Sequence, residues 1–310
     1  MRSRRTFLQN CAALAVATGA PPLVAQAVAP RQRINTLCFF TKHLQWLNFE
    51  DAATVLRDAG FDGADLTVRP GGHVPPEDAS RLLPEAMEAL SKKGLKVPMA
   101  VTGIKDPSDP QLEDFLSVLA DNGVRYYRMA YYGYDRGLSM EANLENFKAQ
   151  LGQLAEKNAK YGLCGAYQNH AGNRLGASIW DLRETIKGLD PNFMSCQFDI
   201  RHATFEGMRS WENDLRGIQS HVRTTVLKDF RWAGSPDDQR GSMNVPLGEG
   251  AVDFERYFQH FKALNLKDPI SIHAEYPLFS DQEQALPKTQ KMDLAIERLG
   301  TDMAFAKKHL

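Results

Sequence analysis

Two carboxylates each close a short apolar run in this chain. Asp199 ends FMSCQFD, and Glu275 ends PISIHAE. Both runs read as buried strands of a parallel sheet, and both acids fall where such a strand stops. In parallel α/β folds the loops and helix N-termini converge at that end around a concave mouth. Two acids buried close together are costly unless a cation or a shared proton compensates them. The pair therefore points to a metal site, a shared-proton site or a sugar site.

Side chains alternate along a strand, so counting by twos tells which neighbours share a face with each acid. Gln197 goes with Asp199, and His273 goes with Glu275. In the other runs Gln168 goes with His170, Val226 with Lys228, and Thr67 with Arg69. A mouth lined by Arg69, Gln168, His170, Asp199, His202, Lys228, His273 and Glu275 is strongly polar. It suits a hydroxyl-rich ligand, whose donors and acceptors need partners once desolvated. Arg69 can hold a carboxylate or sugar oxygens in a bidentate way, and His73 follows it in RPGGH. Arg128 with Tyr131, Tyr132 and Tyr134 offers an aromatic wall for a sugar ring, and Arg174 and Trp232 fall on loops of the same face. Each residue also has a purely structural reading. Asp199 and Glu275 could each belong to a structural ion pair with a cation of the barrel, Lys228 to a surface pair, and His170 could be a loop cap. His202 could start a helix, His273 could belong to the core, and Gly71-Gly72 could be a simple turn.

The elements that must position these residues follow a regular alternation. The apolar runs INTLCFF, GADLTV, LKVPMAV, VRYYRMA, LCGAYQN, FMSCQFD, VRTTVLK and PISIHAE are separated by amphipathic helical stretches. Those stretches span 48–59, 76–93, 110–122, 140–161, 177–188, 206–219 and 252–264, and a last helix covers 288–308. Gly60, Gly123 and Gly162 stop helices just before a strand, as tight αβ loops require. Eight such units in roughly 270 residues predict a (β/α)8 TIM barrel. A doubly wound sheet would show a Gly-rich phosphate turn after its first strand, and Phe39-Phe40-Thr41-Lys42-His43 is no such turn.

The chain has 310 residues, 43 % hydrophobic and 24 % charged, with a formal charge of -1. That charge advertises no basic face for nucleic acid. At the N-terminus SRRTFLQ precedes the apolar CAALAVATGA and then Ala25-Gln26-Ala27. This pattern predicts a twin-arginine signal peptide over 1–27, removed by the export machinery, and a single barrel over 28–310. The expected location is periplasmic or secreted, with no stable membrane anchor after cleavage. Cleavage would leave Cys38, Cys164 and Cys196, three buried thiols rather than a disulfide framework. Homo-oligomerisation is left open.

The segments FTKHLQWL, GFDGADLTVRPGGHVPPE, AYQNHAGN, FDIRHA, VLKDF, PLGEGAVDF and SIHAEYP occur in the order found in the sugar phosphate isomerase/epimerase-like family of xylose isomerase-like barrels. The chain resembles that family over most of its length. The resemblance implies a divalent metal (Mn, Mg or Zn) held by Glu, Asp, His and Glu from four strand ends. Asp199 matches the Asp and Glu275 the last Glu. The first Glu is Gln168 here and the His is Val226. Gln168 retains a carbonyl oxygen for a metal; Val226 has no ligand atom. Three substitutes are open. A histidine among His170, His202 and His273 could rebuild the metal site with Asp199, Glu275 and Gln168. Lys228 could replace the cation. Or the barrel could only bind sugar.

The expected activity is proton transfer next to a carbonyl of an unphosphorylated sugar or keto sugar. Glu275, Asp199, Lys228 and His202 would be catalytic, and Arg69, His73, Arg128, Gln168, His170 and Arg174 would bind the substrate. The alternatives are a non-catalytic carbohydrate-binding barrel, a keto-sugar lyase or a glycoside-cleaving enzyme.

Overall fold

A computed structural model describes residues 35–232, 241–266 and 269–310. The signal segment expected over 1–27 lies outside the described residues. Eight parallel strands close into a barrel: β1 (Leu37–Phe40), β2 (Gly63–Val68), β3 (Lys96–Thr102), β4 (Tyr126–Arg128), β5 (Cys164–Gln168), β6 (Met194–Asp199), β7 (Val222–Leu227) and, after a hairpin, β10 (Ile270–Ile272). Each pairs with its sequence neighbour, and β10 closes the ring between β7 and β1. All eight expected strands are present.

The helices alternate with them: α1 (Phe49–Asp58), α2 (Ala79–Lys92), α3 (Leu112–Asp121), α4 (Met140–Tyr161), α5 (Ile179–Ile186), α6 (Ile200–Gly207), α7 (Trp211–Ile218), α8 (Phe254–Ala263) and α9 (Lys288–His309). Their starts are capped locally. The side chains of Asn48, Ser139 and Asp253 each accept the backbone N–H three residues on, each contributing about 1 kcal/mol. Gly162 ends α4 in the left-handed conformation at φ 67°. No described helix is long and apolar enough to cross a membrane.

Alternation along the strands divides two environments. Leu37 and Phe39 of β1, Ala64 and Leu66 of β2, and Cys196 and Phe198 of β6 join the apolar layer beneath the helices. The residues between them turn to the barrel axis: Phe40, Asp65, Thr67, Gln197 and Asp199. The axis is therefore far more polar than a packed barrel core requires.

Two elements differ from expectation. The stretch expected as one helix over 206–219 is two, and α6 begins at Ile200, directly after Asp199. A β6 residue thus doubles as helix cap, which an apolar-period reading cannot see. The loop expected over 229–251 contains a hairpin of β8 (Asp229–Trp232) and β9 (Ser242–Val245). Asp229 anchors its base by accepting the N–H groups of Phe230, Gly248, Gly250 and Val252 at 2.8–3.1 Å. The Gly248-Glu249-Gly250 segment is thereby a structural turn.

Candidate active site

Asp199 is fully buried at the end of β6 and its carboxylate is saturated. Oδ2 accepts Gln168 Nε2 at 2.7 Å and lies 2.9 Å from Lys228 Nζ. Oδ1 accepts the His202 backbone N–H at 3.2 Å and so caps α6. Asn169, the residue after β5, clamps its backbone, accepting Asp199 N–H at 2.7 Å and donating to Asp199 O at 3.0 Å. The negative charge is fixed from three sides, and the backbone that carries it from a fourth.

Lys228, 4 % exposed, follows β7 and reaches Asp199 from the next strand around the barrel. Its ammonium is also 2.9 Å from His202 Nε2. The other imidazole nitrogen, Nδ1, faces the Arg201 guanidinium at 3.2 Å. Burial, then the Lys228 charge, holds His202 well below the usual histidine range, so its ring is neutral. His170 packs on that ring at 3.8 Å between centroids and is pushed down to about 4, by burial first and Lys228 second.

Gln168 links this centre to a second group. Its Oε1 accepts Arg128 Nη1 at 3.0 Å and the Tyr131 hydroxyl at 2.5 Å. Donors on one side and a carboxylate on the other fix the amide orientation. The Tyr131 ring lies beside His170 at 5.0 Å, and the Arg128 and Arg174 guanidiniums lie 5.5 and 4.9 Å from it. Phe40 carries Arg69 at 5.5 Å and Arg128 at 5.6 Å.

Glu275 lies in a tight turn past β10, its N–H bonded to His273 O. Its side chain is 20 % exposed and reaches Lys42 Nζ at 2.9 Å and His43 Nε2 at 3.7 Å. Burial alone would raise its pKa. The nearby His43 ring and the charge of Lys228 outweigh this and hold the carboxyl well below the usual range. Deeper, His273 stacks on Phe40 at 4.3 Å between centroids. Its nitrogens lie 3.6 Å from Asp65 and 3.9 Å from Glu275. Burial pushes Asp65 up to about 6, against the hydrogen bond from Ser271.

The expected residues mostly converge: Arg69, Arg128, Gln168, His170, Arg174, Asp199, His202, Lys228 and Glu275 all join one connected group. His73 does not belong to it. Its Nε2 is 3.0 Å from Leu44 O and its Nδ1 3.4 Å from Thr67 Oγ1, so it pins a loop. Of the expected aromatic wall only Tyr131 contributes. Tyr132 stacks between Phe147 and Tyr167, and Tyr134 bonds Asp181. Participants unassigned in the sequence include Phe40, Lys42, His43, Asp65, Asn169 and Arg201. For Asp65 the signal was available, since it shares the parity of Thr67 and Arg69.

This donor set does not fit the divalent ion implied by the family resemblance. Val226 supplies no ligand atom. Gln168 spends its oxygen on Arg128 and Tyr131. Asp199 Oδ2 already meets the Lys228 ammonium, and Glu275 is drawn to Lys42. Among the described residues no three His, Cys, Asp or Glu side chains converge as a ligand set. A separate cavity of about 460 Å³ between the loops after β2 and β3 shares no residue with this group.

A closed parallel barrel with its polar cluster at the strand C-termini defines a TIM-barrel protein with an enzyme-like mouth. The xylose isomerase-like TIM-barrel family model matches residues 53–296, and the chain belongs to that family. Its fold is similar to that of the 3-keto-D-glucoside 4-epimerase YcjR from E. coli (TM-score 0.63, 16 % identity, 86 % of this chain and 100 % of that one). It is also similar to the probable 3-DHS dehydratase AsbF from Bacillus anthracis (TM-score 0.65, 15 % identity, 88 % and 99 %). A third likeness is to D-allulose 3-epimerase from Methylomonas sp. (TM-score 0.64, 17 % identity, 90 % and 99 %). No curated protein sequence matches the chain.

Proposed function

We propose that the protein is an exported sugar isomerase or epimerase-like enzyme that moves a proton next to the carbonyl of an unphosphorylated sugar or keto sugar. The observation that carries this reading is the Lys228 ammonium, bonded to Asp199 and acting electrostatically on Glu275. Two sugar epimerases and a dehydratase among the similar folds support it. Export rests on the twin-arginine pattern alone.

Lys228 carries three N–H donors. Asp199 and His202 take two, and the third is left for a substrate oxygen. Held in a buried, pre-ordered position, it would stabilise the negative charge that develops on a carbonyl oxygen as the neighbouring C–H is broken. Lys228 thus takes the electrostatic part that the family assigns to a metal. Asp199 is sealed and positions Lys228, whereas Glu275 opens to the mouth and is the base. A substrate hydroxyl that draws Lys42 away would raise the basicity of Glu275. A proton returned by Glu275 to the former carbonyl carbon, with the neighbouring hydroxyl's proton passed to the old carbonyl oxygen, completes an isomerisation. Loss of a hydroxyl from the next carbon, protonated by Glu275 so that it leaves as water, completes an elimination. Epimerisation requires a second donor on the opposite face.

The test is to incubate the mature protein with a panel of ketoses and 3-keto sugars in D2O and follow deuterium at the carbon next to the carbonyl by NMR. Incorporation that is lost in Lys228→Met and Glu275→Gln is expected. Saturable binding of a panel member with no exchange would instead favour a non-catalytic carbohydrate-binding barrel.

A further inference from the structure

Three guanidinium groups gather beside the catalytic cluster with no ion-pair partner among the described residues. They alternate with two rings in the order Arg69, Phe40, Arg128, Tyr131, Arg174, each guanidinium carbon 4.9–5.6 Å from a ring centre. None of the three forms an ion pair with a described residue. The acids nearby are committed elsewhere: Asp199 to Lys228, Glu275 to Lys42, and Asp65 to Ser271. Arg128 is 8 % exposed, and its Nε has no hydrogen-bond partner; the same holds for Arg174 Nε. Arg69 and Arg174 are half-buried and reach the solvent side.

Like charges brought together in a low-dielectric mouth repel, and a buried charge without a partner is expensive. The mutual cost of Arg69 and Arg128 is visible in the lowered affinity of Arg69 for its proton, from burial first and Arg128 next. Aromatic faces offset only part of this. Planar guanidiniums with unspent N–H groups match the geometry of an oxyanion. Neutral sugar hydroxyls need no such excess of charge.

We propose that Arg69, Arg128 and Arg174 form a cradle for a carboxylate on the substrate, so that the sugar handled at this mouth is a sugar acid. This deepens the carbohydrate reading above and rests on it for the nature of the rest of the ligand. Arg128 also donates to Gln168, which donates to Asp199. The anion would therefore sit one side chain away from the Lys228 centre, fixing which carbon faces Glu275.

The experiment is calorimetric titration of the mature protein at pH 7.5 and low salt. The probes are D-glucuronate, D-galacturonate and D-mannuronate, the three matching neutral hexoses, and glucose 6-phosphate. At least one uronate should bind about ten-fold or more tightly than its hexose. That preference should vanish in Arg128→Gln, and in Arg69→Gln, whose half-exposed position spares the fold. Uronates binding no better than hexoses would overturn the proposal. A preference for glucose 6-phosphate over every uronate would keep the cradle but overturn the carboxylate and the unphosphorylated substrate. Uronate preference without deuterium exchange at any carbon would keep the cradle and overturn the catalytic reading, so the two fail separately.

Discussion

Lys228 Nζ stands 2.9 Å from Asp199 Oδ2, joining the ends of β6 and β7 inside the barrel mouth. Both side chains are 5 % exposed or less. Such a pair stabilises little on balance, because desolvating the ions offsets their attraction, but breaking one half strands the other. Lys228→Met should therefore lose about 3–5 kcal/mol of unfolding free energy. Lys228→Met with Asp199→Leu should recover most of it. Urea denaturation of the two variants reads this directly, and a single variant within 1 kcal/mol of wild type would contradict the pairing.

The mouth should be indifferent to divalent ions. Adding Mn, Mg or Zn to the EDTA-treated mature protein should leave Tm within about 1 °C, because a ligand stabilises only by binding the native state. Gln168→Glu with Val226→His restores two ligand types and should make Tm rise with Mn. Elemental mass spectrometry of the untagged protein is the complementary check. One metal per chain, lost in Asp199→Asn, would show that Lys228 is not the resident cation.

Asp65 gives stability a pH dependence with a definite sign. Its carboxyl is raised from an ordinary 3.8 to about 6, so the folded state binds the extra proton. Its contribution is most favourable below about pH 4 and is lost as pH rises through 6, by roughly 3 kcal/mol. Asp65→Asn keeps an acceptor for Ser271 and removes that loss. The variant should melt above wild type at pH 7.5, and the gap should close at pH 4. An equal gap at both values would rule this out.

His170 works in the opposite direction. Its ring is held down to about 4, so unfolding takes up a proton between 4 and 6.5. The stability it carries is complete above 6.5 and declines as pH falls toward 4. Its ring proton resonances should stay fixed from pH 8 to 5.5 in NMR spectra. A midpoint near 6.5 would mean that the ring is solvated and not packed against His202.

Gly250 bears on the hairpin that carries Trp232. A Cβ there would meet Asp229 Oδ1 and Phe230 O at 2.3 Å each. Gly250→Ala must disturb the four amide bonds to Asp229 and should cost about 1–3 kcal/mol by thermal denaturation. Val226→Ala, on β7, would serve as a cavity control of similar size.

Most of the fold was legible because it is written in local patterns. Strand runs such as GADLTV and FMSCQFD, helix stops at Gly60 and Gly162, and the period of each helix are properties of a few consecutive residues. The parity of Asp199, Lys228 and Gln168 followed from alternation alone, and so did the polarity of the mouth. Helix α6 was misplaced because its cap is a strand residue, and His73 falls outside the connected group because its partners, Leu44 and Thr67, are fixed by tertiary packing.

What the sequence could not decide was which charges meet. It supplied Asp199, Glu275, Lys228 and the arginines, and the family resemblance set Gln168 and Val226 where it implies metal ligands. Only the closed barrel, by setting β6 beside β7 and β5, sends the Lys228 ammonium to Asp199 and turns the Gln168 oxygen to Arg128. Charge pairing depends on distances of a few ångströms between residues tens of positions apart in the chain. Ring closure fixes those distances, and local sequence periodicity carries no record of them.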